Sequence, residues 1–269
     1  MRTARLTSPV SPPTGLDAAG GADPVVLVAH GSRDPRAADA TRALARAVSA
    51  ARPGVDVWPS WLDHTEPGPT EVLRALAVAG HRRAVLVPLL LTAAYHSRVD
   101  IPAAVAEATR SGPPLAVRVT GVLGPADGSV DAALLAGLRR RLGEVCPGRF
   151  DALVLAAAGT RDARARGSVG RVADALGVEL GVPCRVSYAS AAPPGAGVAV
   201  SRLRAAGARR VAVAGYFLAP GLFYDAVAES ARAAGAVAVS APLTDAPEVV
   251  DLVLRRVDDR SGRVVAPAG

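Results

Sequence analysis

The feature that most constrains this chain is that it repeats itself. The segment Val25–Ala37, VVLVAHGSRDPRA, matches Leu153–Ala165, LVLAAAGTRDARA, with Gly31 set over Gly159. Further on, AGHRRAVLVPLLL from Ala79 matches AGARRVAVAGYFL from Ala206. The offset is 128 residues at the first match and 127 at the second, which an ancestral duplication explains better than chance.

Each copy reads as strand and helix in alternation. Strands are expected at Val25–Ala29, Val55–Ser60, Ala84–Leu91 and Leu115–Thr120, then at Ala152–Ala157, Cys184–Ala189, Val211–Leu218 and Val237–Ser240. Between them lie Ala-rich stretches of helical length, such as Arg36–Ala51, Thr70–Ala79 and Val99–Thr109. Continuous apolar strands alternating with helices predict parallel sheets covered on both faces. The fold class is therefore α/β, two tandem, duplicated, doubly wound parallel-sheet domains. The expected boundaries are a disordered tail over 1–23, a first domain over 24–145, a second over 150–260 and a tail over 261–269. The amphipathic stretch Val130–Leu142 reads as the last helix of the first domain, ahead of a short linker.

Composition narrows the function classes. No stretch approaches the ~20 apolar residues of a membrane span, and residues 1–23 lack the apolar centre of a signal peptide. A soluble, cytoplasmic protein is expected. The formal net charge is +7, yet all 31 basic residues are Arg, scattered along the chain, and only 3% of residues are aromatic, so nucleic acid is not an expected partner. An anionic small molecule would be tolerated well. Cys146 and Cys184 lie far apart and outside any CxxC pair, so both read as structural. There is no GxxxxGK[ST] loop, no GxGxxG between strand and helix and no GxSxG elbow; no nucleotide cofactor is expected.

In an open parallel sheet, ligands bind beyond the carboxyl ends of the strands. His30 directly follows the first strand, His64 the second, and His96 follows the third after a short loop, so all three fall on one rim. His81 follows a helix-ending Gly80 and belongs to the opposite edge, exposed to solvent. Two imidazoles on one rim can hold a transition-metal ion or take protons from a substrate. In the repeat, His30 is matched by Ala158 and His96 by Phe223, as expected for a site needed only once. Asp63 and Glu66 leave the second strand as candidate carboxylates, and Arg33 and Arg98 are candidate anchors for substrate carboxylates. Asp34 and Pro35 also form a good helix start, with Asp34 as N-cap; Asp100 and Glu66 read as further caps. Trp58 and Trp61 read as packing residues.

The segments VAHGSRDP, Val28–Pro35, and PLLLTAAYHSRVDIP, Pro88–Pro102, resemble the signatures of the sirohydrochlorin chelatases, the CbiX/SirB family of class II tetrapyrrole chelatases. The resemblance covers most of the first domain, and the second domain follows in a histidine-free form, as in the long members of that family. It implies that His30 and His96 are the catalytic histidines and form the metal site. The acidic position after the second strand corresponds to Asp63, Asp where Glu is usual, with His64 beside it. The implied reaction inserts Fe²⁺ or Co²⁺ into sirohydrochlorin, on the route to siroheme or cobalamin, with the divalent metal as substrate. Ser32, Arg33 and Arg98 are the implied substrate-binding residues, with Arg36 a further candidate anchor and the macrocycle in the cleft between domains. A monomer is expected, because one chain already supplies both halves. Two other classes share the histidines: a non-catalytic metal or tetrapyrrole carrier, and a hydrolase or transferase built on an Asp-His pair, for which no nucleophile motif is present.

Overall fold

A computed structural model of the protein describes residues 22–266 apart from 94–95, 111, 126–127 and 147, and of His96 and Ser97 it describes the backbone alone. The first half comprises β1 (Val25–Ala29), α1 (Pro35–Ala51), β2 (Val57–Trp61), α2 (Pro69–Val78), β3 (Arg83–Pro88), a wide turn at His96–Asp100 leading into α3 (Ile101–Arg110), β4 (Ala116–Val119) and α4 (Ala132–Val145). The second comprises β5 (Ala152–Ala157), α5 (Ala163–Leu180), β6 (Cys184–Tyr188), α6 (Ala196–Ala205), β7 (Val211–Tyr216), α7 (Leu222–Ala233), β8 (Ala238–Val239) and α8 (Pro247–Asp258). A short strand, β9 (Arg263–Val265), closes the described chain. The expected strands all form, with β1 and β5 at the predicted bounds.

The sheets run β2-β1-β3-β4-β9 and β6-β5-β7-β8, parallel throughout except for β9. Both faces are covered, which is why the strands are apolar without alternation. In β1, Val26 and Val28 pack under α2 and α3, whereas Val25 and Leu27 pack on the other side with Leu44 and Val48 of α1. The second sheet repeats this: Val154 and Ala156 face α6 and α7, and Leu153 and Leu155 face α5.

The halves exchange their last helices. Helix α4, expected to complete the first domain, packs against β7 and β8 of the second sheet, while α8 returns to pack against α1 and β3. Leu134, Leu138 and Leu142 of α4 and Val249, Leu252 and Val253 of α8 thereby join both sheets in one apolar core. Beyond α8 the chain reaches the open edge of the first sheet. Arg118 of β4 holds it there, donating to the carbonyls of Val257 at 2.6 Å and Asp259 at 2.7 Å, and Arg263–Val265 pairs antiparallel with β4. These three residues were expected in the 261–269 tail; a strand this short has no periodicity to announce it. At the other end, residues 1–21 of the expected tail lie outside the described residues, and Asp23 accepts from Arg83 at 3.0 Å.

Asp34 caps α1 as expected, its carboxylate accepting from the Arg36 amide, with Pro35 in the first turn. The other two expected caps are not caps. Gly68, not Glu66, precedes α2, with Glu71 reaching back to its amide at 2.9 Å. Asp100 lies in the turn that runs without a break into α3. His81 is half-buried, and its Nε2 is buried without a hydrogen-bond partner among the described residues, because the chain folds back onto α2 through the His81 amide and Leu76 carbonyl. Trp61 is buried in the first half beneath the Arg42 guanidinium, 5.0 Å from its ring centroid. No described helix is long and apolar enough to cross a membrane.

Candidate metal site

The strand order fixes where a site can form. Because β1 and β3 are neighbours whose following helices cover opposite faces, a crevice opens above their carboxyl ends. His30 stands at the end of β1, and the turn opened by His96 follows β3, so the sequence places both predicted histidines over this switch point. The side chain of His96 lies outside the described residues.

His30 is exposed, and its Nδ1 lies 3.1 Å from the Gly31 carbonyl. A carbonyl only accepts, so this bond puts the proton on Nδ1, and in a neutral ring Nε2 then carries the lone pair a metal ion requires. The loop after β2 is fastened beside it. The Asp63 amide donates to the His30 carbonyl at 3.0 Å, and the Asp63 carbonyl passes so close to Gly31 that a Cβ there would sit 1.7 Å from it. Gly31 also has φ +95°, so this position excludes a side chain twice over. The Asp63 carboxylate accepts from the His64 amide at 2.8 Å and lies 3.3 Å from its Nε2. Asp63 and His64 thus meet as a pair on the rim, next to His30 through the main chain. Among the described residues, no three His, Cys, Asp or Glu side chains converge as a ligand set.

The second half keeps the same backbone without the donors. Gly159 has φ +97°, a Cβ on it would lie 2.0 Å from the Ser190 carbonyl, and the Ser190 amide donates to Ala158 at 3.0 Å. His64 and its counterpart Ala191 even share a positive φ of 61°. Only the side chains differ: Ala158 replaces His30, Ser190 replaces Asp63 and Ala191 replaces His64.

The predicted substrate residues divide. The Ser32 hydroxyl accepts from the Asp34 amide at 3.1 Å, so it braces the start of α1. Arg33 is exposed and has no partner among the described residues. Arg98 reaches across to the second half, 3.3 Å from Asp162, the N-cap of α5. Arg36 bridges Asp34 and Asp225 of α7 at 2.5 Å each. Asp225 is the repeat counterpart of Arg98, so the two bridges are related by the duplication: each half offers the residue after its third strand to the helix start of the other. Their carboxylates respond. The Arg36 hydrogen bond holds Asp34 below the usual carboxylate range, and the Ala165 amide does the same for Asp162, with Arg98 adding to it.

Sequence reasoning did not find Asp162, Asp225 or Tyr216 as links between the halves. The Tyr216 hydroxyl donates to the Leu91 carbonyl at 3.0 Å, and burial pushes its pKa up. The repeat alignment carried a signal for the first two, since opposite charges stand at equivalent positions, Arg98 and Asp225. A groove of about 860 Å³ lies along Arg98, Pro102, Thr120, Arg256 and Arg263, without His30 on its walls.

The CbiX family profile matches residues 24–140 and again 152–260, both halves of the chain. The chain belongs to the CbiX family. No functionally curated protein matches it. Among solved structures it is similar to SirB from Bacillus subtilis with Fe³⁺, at TM-score 0.74 and 21% identity over 88% of this chain and 94% of that one. It is similar also to SirB from Bacillus subtilis subspecies spizizenii in complex with cobalt, at 0.72 and 20% over 88% and 94%. A third is CbiX, the terminal enzyme for biosynthesis of siroheme in denitrifying bacteria, at 0.64 and 21% over 87% and 98%. At these identities the structures establish a shared two-half fold, and the double family match makes the duplication read from the sequence a property of this CbiX chain.

Proposed function

We propose that this protein is a sirohydrochlorin chelatase, a lyase-class enzyme that inserts Fe²⁺ or Co²⁺ into sirohydrochlorin for siroheme or cobalamin formation. The observation that carries the reading is the asymmetry of the two halves: both match the CbiX family and share one loop architecture, and only the first has a histidine at the strand end. The Fe³⁺ and cobalt in the two SirB structures support a metal as substrate.

In this account His30 and His96 hold the incoming ion, and Asp63 supplies a hard oxygen donor beside them. Two pyrrole N–H protons must leave as the metal enters, and the two imidazoles that have released the ion accept one each before passing them to solvent. The macrocycle lies in the cleft between the halves. Its carboxylates meet Arg33 and Arg98, the second of which keeps further N–H donors beyond its contact with Asp162. Ser32 acts through the loop, keeping Arg33 and the start of α1 in place. The chain needs no nucleotide, acts as a monomer and works in the cytoplasm.

The test is turnover. Anaerobic sirohydrochlorin with Co²⁺ or Fe²⁺ and substoichiometric protein is expected to give many equivalents of metallated product per protein, well above the spontaneous rate followed by absorbance. Binding of one equivalent with no acceleration would make the protein a carrier instead.

A further inference from the structure

The second half lost its metal donors but not its cleft-facing rim, and three observations give that rim a function. The first is Phe223. It occupies the place of His96 in the repeat, second residue of α7, and it is 55% exposed, beside Leu222 at 71%. Phe223 is the single aromatic residue among the large apolar side chains left exposed in the described structure. Its neighbour Tyr224 turns inward, edge-on to Phe217 with its hydroxyl on the Ser240 carbonyl, so the exposure of Phe223 is not a frayed helix end.

The second observation is position. A Cβ on Gly221 would lie 3.8 Å from Ser32 Oγ and 3.9 Å from Asp34 Cβ, and Asp225 is tied to Arg36, so the start of α7 is held against the loop that carries His30. The third is charge. The G-[ST]-R-D motif survives in the second half although its histidine does not, and Arg161, like its counterpart Arg33, is exposed, its guanidinium without a partner among the described residues. Arg161 follows β5 and Phe223 follows its neighbour β7, so aromatic surface and an open guanidinium share one rim, which suits a flat conjugated ring edged with carboxylates.

We propose that the histidine-free half is the macrocycle-binding half: Phe223 is a platform against which one face of the tetrapyrrole rests, and Arg161 anchors a peripheral carboxylate, opposite Arg33. Both are positioning residues, and neither touches the metal. The proposal rests on the chelatase reading above and divides its labour, metal to the first half and ring to the second.

The test uses the full chain and two separate titrations, metal-free sirohydrochlorin under anaerobic conditions and Co²⁺ alone. Phe223→Ala and Arg161→Gln are each expected to weaken sirohydrochlorin binding about tenfold or more, a loss of about 1.4 kcal/mol, with Co²⁺ affinity unchanged. Phe223→Tyr keeps the ring and is expected to bind within about twofold of wild type, which a mere packing role would not require. Unchanged sirohydrochlorin affinity in both variants, in a wild-type protein that does bind and metallate it, would overturn this inference alone. Equal losses for Co²⁺ and for the ring would also overturn it. A wild-type protein that binds no sirohydrochlorin would remove the chelatase reading and this inference together.

Discussion

The Asp63 amide donates to the His30 carbonyl at 3.0 Å, and 127 to 128 residues later the Ser190 amide donates to Ala158 at the same distance. The duplication preserved a clasp between the loops after the first two strands of each half. In the first half that clasp joins the loop of Asp63 to that of His30; in the second it joins Ser190 to Ala158, neither of which carries a metal-ligating imidazole or carboxylate.

The clasp depends on Gly31 and Gly159. Gly31→Ala incurs a left-handed backbone cost of about 1–2 kcal/mol and pushes the Asp63 carbonyl away, so a lower Tm and at least about tenfold weaker Co²⁺ binding are expected. Gly159→Ala should lower Tm comparably and leave Co²⁺ affinity alone. Calorimetry and a metal titration on the two variants check the pair; equal effects on metal binding would show that both halves hold metal.

Asp63 is expected to contribute to metal affinity directly. Asp63→Ala should weaken Co²⁺ binding about tenfold or more, because it removes an anionic oxygen from the rim. His64→Ala frees the Asp63 carboxylate from its neighbour's ring and should weaken binding less. A larger loss for His64→Ala would make His64 the ligand and Asp63 its orienting partner.

The exchanged helices make the two halves one folding unit. Leu138 of α4 is fully buried between the sheets, and Leu138→Ala is expected to cost about 2–5 kcal/mol. Thermal unfolding should remain a single transition that moves as a whole. Two separated transitions would show that α4 and α8 do not couple the halves.

Arg52 at the end of α1 holds Asp258 at the end of α8, 2.5 Å away, and this hydrogen bond keeps the Asp258 carboxyl below its usual range. A folded-state pKa below the unfolded value of about 3.9 means stability that is present above about pH 5 and lost as the pH falls through the folded value. The pair is exposed, so the gain is about 0.2–1 kcal/mol. Between pH 7 and pH 3, the Tm gap between wild type and Asp258→Asn should stay level to about pH 5 and then close. A gap independent of pH would assign the effect to packing.

The sequence made much of this legible for definite reasons. Strands such as Val25–Ala29 and Ala152–Ala157 are runs of apolar residues with glycine or charge close by, and the repeat allowed each half to be read against the other. His30 and Asp34 stood out because a strand end and a helix start are both written locally. The helix exchange was not legible, since Val130–Leu142 is equally amphipathic whichever sheet it covers. Nor was the role of Asp162, whose capping function is local but whose contact with Arg98 spans 64 residues. The same limit hid β9, three residues whose partner lies at the edge of the other half's sheet.

The most direct test of the central claim compares metal insertion by wild type, His30→Ala and His96→Ala, with anaerobic sirohydrochlorin and Co²⁺ or Fe²⁺, following absorbance. The account predicts insertion well above the spontaneous rate for wild type and a return to that rate in both variants, with the fold intact. Insertion that survives loss of either histidine would contradict it.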